Sequence, residues 1–167
     1  HVVFGGIDKD YPAIYSVAKY RTANEQVTEP LLRPWSDWHA DITSAVNPPF
    51  ASILRGVTVP PYGGDTQFIN MASVYQSLSP TLRNMLAALR CVHRYDEPNL
   101  HAKSQDYQDK FRKNELVAEH PMITVHEETG EPVLYVNPGF VDSIIGMKPH
   151  ESQALLHMLY EQSIRPE

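Results

Sequence analysis

Residues 38–71 read WHADITSAVNPPFASILRGVTVPPYGGDTQFINM, and this stretch decides the fold. Trp38–Ser44 alternates and is rich in β-favouring residues. Phe50–Val59 is a second such run, closed by Pro60-Pro61, and Asp65–Met71 follows a Tyr62-Gly63-Gly64 turn. Short strands in succession, punctuated by proline and glycine, are the pattern of a β-sandwich or jelly roll. The same stretch carries the most informative chemistry. On a strand, residues i and i+2 share a face, so His39 and Asp41 are expected to present an imidazole nitrogen and a carboxylate side by side. These are two of the three donors of a 2-His-1-carboxylate triad, the arrangement that leaves open positions on non-haem Fe(II). Alone, His-x-Asp is a weak pattern, and a surface histidine and aspartate on an edge strand satisfy it equally well.

On the N-terminal side, Ala13–Ala18 reads as a strand and Arg21–Pro34 as a long polar loop. On the other side, Ser79 followed by Pro80 is an N-cap with proline at the first helical position. Leu82, Met85, Leu86 and Leu89 then recur at helical spacing, which predicts a helix over residues 80–93. Residues 98–118 read as a helical or irregular insertion. Met122–His126 and Val133–Val136 flank Glu127-Glu128-Thr129-Gly130 as a hairpin. A last helix is expected over residues 149–163, with Leu155, Met158 and Leu159 on one face. The result is a mainly β chain with flanking helices (α+β). Neither G-x-G-x-x-G nor a Walker loop occurs, which argues against a parallel nucleotide-binding sheet.

Composition narrows the function classes. The 167 residues are expected to form a single domain, residues 1–167, and 42% hydrophobic with 20% charged residues is enough to build a core. A net charge of −6 argues against a protein that tracks nucleic-acid phosphates. The longest apolar runs, such as Met85–Leu89, fall far short of the ~20 residues of a membrane span. A lone cysteine, Cys91, excludes a disulfide framework and a cysteine-based zinc site, in keeping with a reducing, cytoplasmic setting. No basic-then-apolar leader opens the chain. It starts at His1 rather than methionine and stops at Arg165-Pro166-Glu167, as an internal piece of a longer protein would.

Taken in order, these segments resemble the taurine/2,4-dichlorophenoxyacetate dioxygenases, Fe(II)- and 2-oxoglutarate-dependent oxygenases. The matching pieces are Trp38–Thr43, Pro48-Pro49, Ala51–Leu54, Pro60–Thr66 and Tyr75–Ser79. They continue through His120-Pro121, Thr129-Gly130, Leu134–Asn137, Gly139-Phe140, Glu151–Leu156 and Arg165–Glu167. The resemblance implies a double-stranded β-helix (jelly-roll) oxygenase core, incomplete at both ends. It implies Fe(II) on His39 and Asp41, with a third ligand, a histidine, beyond Glu167. 2-Oxoglutarate would be held by Thr66, and an arginine partner would lie further on. It places His1, Phe4, Trp35, Ile42 and Phe140 around the substrate, although Phe140 could equally be core and His1 simply a chain end.

The implied reaction uses O2 to hydroxylate a C–H bond of a small organic molecule, with fragmentation where that carbon bears a leaving group. Pro34-Trp35 and Phe4 stand where the taurine enzyme has polar groups and a tyrosine, so a larger or more apolar substrate than taurine is expected. With the third ligand outside the 167 residues, weak iron binding and little activity are expected of this stretch alone. The other histidines (His93 ending a helix, His101 in the insertion, His120 and His126 at a hairpin, His150 and His157 on the last helix) read as structural or solvated. Neither a nucleic-acid nor a membrane partner is expected, and association into homo-oligomers stays open. Two other classes stay open too: a non-catalytic jelly-roll that binds a small ligand, and a hydrolase whose metal activates water.

Overall fold

The hydrophobic pattern after residue 70 builds every regular element of the described structure, a computed structural model. That structure describes residues 38–165, apart from 60, 64, 97–99 and 103, together with Asp10, Tyr11 and Ile14. The chain divides into two compact units, His1–Ser36 and Asp37–Glu167. The elements below belong to the second. The expected strand over 13–18 and loop over 21–34 lie outside the described residues, Ile14 excepted.

Helix α1 (Met71–Ser77) begins where Asn70 Oδ1 accepts from the backbone N–H groups of Ala72 and Ser73. Helix α2 (Pro80–Leu86) begins at the expected cap: Ser79 Oγ accepts from Leu82 N, and Pro80 needs no partner in the first turn. The helix then stops, and residues 90–94 form β1 (Arg90–Arg94) instead of its continuation. β1 alternates, with Cys91 and His93 fully buried on one face. The described part of residues 98–118 holds a 3-10 turn (Leu100–Ala102), then α3 (Gln105–Lys113) and the start of β2 (Val117–Pro121). β3 (Ile123–Val125) and β4 (Pro132–Leu134) form the expected hairpin, closed by Gly130 at φ +71°. β5 is Val141–Ile144, and α4, Pro149–Ser163, matches its expected limits.

The strands form an antiparallel sheet in the order β2–β1–β5, beside the β3–β4 hairpin. Between them and the helices lies one core of Val74, Leu78, Leu86, Cys91, Met122, Leu134, Val136, Ile144, Leu156 and Leu159. On α4 the fully inward residues are Leu156 and Leu159; Leu155 and Met158 flank them half-buried. Burial holds the Cys91 thiol up at about 12, so it stays a neutral core group. Ser152 Oγ accepts from Ile144 N at 2.8 Å and ties α4 to β5.

Three expected strands are corrected. Residues 38–40 have no regular structure and 41–44 form a turn. Residues 51–59 and 65–70 join no ladder among the described residues, and Met71 already belongs to α1. β-favouring composition makes a strand only where a neighbour takes up its backbone N–H and C=O groups.

Candidate functional site

His39 and Asp41 do meet, though not by the pleat of a strand. Asp41–Ser44 is a turn, with Ala45 N donating to Ile42 O at 3.0 Å. Ile42 sits at φ +53°, a left-handed conformation that costs a β-branched side chain on the order of 1–2 kcal/mol. The turn brings His39 Nε2 to 3.6 Å from Asp41 Oδ1. Ser52 Oγ donates to the other carboxylate oxygen, Oδ2, at 2.5 Å. Asp41 thus keeps one oxygen on serine and turns the other toward the imidazole.

This donor pair fits a divalent first-row ion. Two adjacent ligands at ~2.1 Å from such a metal stand roughly 3 Å apart, so a small side-chain adjustment closes the observed gap. The hydrogen bond from Ser52 is the kind of outer contact that orients a ligating carboxylate. No third histidine, cysteine or carboxylate converges on the pair among the described residues.

Beneath the turn lies a buried polar cluster. Thr43 is buried, and its hydroxyl lies 3.0 Å from His93 Nδ1 and accepts from Asn137 Nδ2 at 3.4 Å. The His93 ring stacks on Tyr135 at 5.5 Å and meets the His120 ring edge-on at 5.0 Å. His120 Nε2 is hydrogen-bonded to Ala45 O at 3.0 Å. Burial, with His120 beside it, pushes His93 down to about 4, so the ring is neutral at neutral pH. Burial also raises the Tyr135 phenol. His93 therefore anchors the turn from a strand, not from a helix end. His101, His126, His150 and His157 are exposed as expected.

The other candidate residues scatter. Thr66 is exposed on the irregular 65–70 stretch, and no hydrogen bond ties it to the pair among the described residues. Ile42 is half-buried in the turn itself. Phe140 is only 6% exposed and packs near Tyr95, with ring centroids 6.2 Å apart. His1, Phe4 and Trp35 lie outside the described residues. Ser52 and Asn137 are site neighbours that their sequence context did not reveal. Both belong to matching segments, but only the folded turn puts them against Asp41 and Thr43.

The family model described as "Taurine catabolism dioxygenase TauD, TfdA family" matches residues 1–167. A taurine dioxygenase of Burkholderia xenovorans superposes with a TM-score of 0.74 at 48% identity, covering 99% of this chain and 50% of that one. An alpha-ketoglutarate-dependent sulfate ester dioxygenase of Pseudomonas putida is 37% identical over 131 residues, covering 74% of this chain and 43% of that protein. An alkylsulfatase of Acinetobacter baylyi is 33% identical over 139 residues, covering 79% and 44%. The chain therefore spans half or less of the length of these relatives. Because that family model spans residues 1–167, the chain belongs to the TauD, TfdA family of alpha-ketoglutarate-dependent dioxygenases.

Proposed function

We propose that the protein containing this chain is an Fe(II)- and 2-oxoglutarate-dependent dioxygenase that hydroxylates a C–H bond of a small organic substrate. The observation that carries this reading is the His39–Asp41 pair, 3.6 Å apart on a turn held from below by buried side chains. His39 and Asp41 would hold the iron, together with a histidine from elsewhere in the polypeptide. Thr66 would donate its hydroxyl to a carboxylate of 2-oxoglutarate, a neutral donor suited to an anion. When bound, iron and 2-oxoglutarate together supply O2 activation, the step no amino-acid side chain performs. The chain's own part is to fix the donors, orient the C–H bond and keep the pocket dry. The surrounding architecture would be the double-stranded β-helix.

For the substrate, we propose a molecule larger and more apolar than taurine, of the alkyl sulfate or aryloxy acid kind, with no nucleic acid or membrane involved. Phe4, Trp35, Ile42 and Phe140 are apolar candidates for its pocket. Relatives named for sulfate esters and alkyl sulfates support the direction. The test is substrate-dependent succinate release by the complete, iron-loaded protein. The panel is taurine, alkanesulfonates, alkyl sulfates and aryloxy acids. An alkyl sulfate or aryloxy acid is expected to exceed taurine. Taurine as the best substrate would overturn the substrate class. If anaerobic Fe(II) and 2-oxoglutarate give no charge-transfer band, and no compound releases succinate, the dioxygenase reading itself fails.

A further inference from the structure

The turn between β4 and β5, Asn137-Pro138-Gly139-Phe140, touches the metal motif at both of its ends. At the histidine end, a Cβ built on Gly139 would stand 2.8 Å from His39 Cβ, closer than carbon atoms of side chains approach. Gly139 is not among the glycines with positive φ, so its backbone does not require glycine; the space beside His39 does. At the other end, Asn137 is buried and donates from Nδ2 to Thr43 Oγ1, two residues past Asp41, at 3.4 Å. Asn137 Oδ1 accepts from Phe140 N at 2.9 Å, which closes the turn on itself. Asn137 O accepts from Tyr160 Oη at 3.2 Å, which fastens the turn to α4. The motif turn at 41–44 is thus braced by a second turn that has its own anchor in the core.

We propose that Gly139 and Asn137 are positioning residues for the His39–Asp41 metal pair. The glycine sets how closely the second turn seats against the base of the imidazole. The asparagine amide locks that turn to the Thr43 end of the motif. The inference rests on the metal-binding reading above. Its physical basis is tolerance: metal–ligand distances hold to within about 0.2 Å, and a methyl group at 139 moves His39 or the turn by more than that.

The test uses the complete protein, stripped of metal and titrated anaerobically with Co(II), whose visible bands report ligand geometry. In Gly139→Ala, Co(II) is expected to bind about 10- to 100-fold more weakly, the usual cost of disturbing an outer support. Its visible bands should shift, while the metal-free melting temperature stays within about 3 °C of the parent. Asn137→Asp keeps the acceptor for Phe140 N, removes the donor to Thr43 and adds no bulk beside His39. It should weaken Co(II) in the same direction. The proposal is overturned if Gly139→Ala binds Co(II) with parental affinity and spectrum. It is equally overturned if both variants lose affinity only in step with a collapsing melting temperature. A parent that binds no stoichiometric Co(II) would instead sink the metal reading beneath it.

Discussion

The hydroxyl of Ser52 decides which carboxylate oxygen of Asp41 is left to face His39. Ser52→Ala should leave the fold intact and let the carboxylate swing. Iron affinity in the complete protein is then expected to fall by about 10- to 100-fold, measured by anaerobic titration. Asp41→Ala removes a donor outright and should abolish both iron binding and succinate release. Turnover that survives this change would remove the basis of the assignment. His93 gives a third residue-level expectation. Its folded value of about 4 lies below the ordinary 6.5, because the buried ring resists protonation and His120 stands beside it. Above pH ~6.5 both folded and unfolded states are neutral and the stability is complete. As pH falls from there toward 4, the unfolded chain takes up a proton that the folded chain refuses, and stability is lost, by on the order of 2–3 kcal/mol. Urea unfolding across this window should show the slope, and His93→Phe should flatten it. An unchanged slope in that variant would place the acid sensitivity elsewhere.

Elements differ in how far local sequence determines them, and mutational cost should follow. Asn70 caps α1 with two backbone hydrogen bonds, so Asn70→Ala should cost about 1 kcal/mol of unfolding free energy. Leu159 is fully buried on α4, and Leu159→Ala should cost about 2–5 kcal/mol by opening a cavity in the shared core. Chemical denaturation reads both. The same contrast explains what could be read from residues alone. Ser79-Pro80, the hairpin around Gly130 and the limits of α4 were legible, because caps, turn glycines and a helical stripe act within a few residues. Helix α2 was expected to run on to 93. Apolar residues at 86 and 89 fit a helix, while the alternation of Cys91 and His93 fits a strand, and pairing with β2 and β5 decides for the strand. The His39–Asp41 pairing was legible for the wrong geometric reason. A turn, not a pleat, joins the two side chains, and nothing local in Trp38–Thr43 announces a left-handed isoleucine. Asn137 and Gly139 stayed hidden because their partners lie about a hundred residues away.

At the scale of the whole chain, an apolar stretch stands out in the open. Ile53 is 96% exposed and Phe68 is 89% exposed, with Leu54, Val57, Val59 and Tyr62 also turned to solvent. Large apolar side chains left in solvent over one stretch of chain are surface suited to being covered. The 167-residue chain expressed by itself should bind a hydrophobic dye and sediment as a species heavier than a monomer. Lysines introduced at Ile53 and Val57 should reduce both signals. A dye-silent monomer would show that this surface is covered by some means other than a partner. The backbone at Ile42 carries a last consequence. Because the two donors converge through a φ of +53° rather than through a repeating pleat, their spacing belongs to the scaffold and not to the tripeptide. A short synthetic peptide spanning residues 38–44 would relax to ordinary conformers and lose the arrangement. Transplanting His-x-Asp onto a flat ribbon of another protein would not carry the chelating geometry with it.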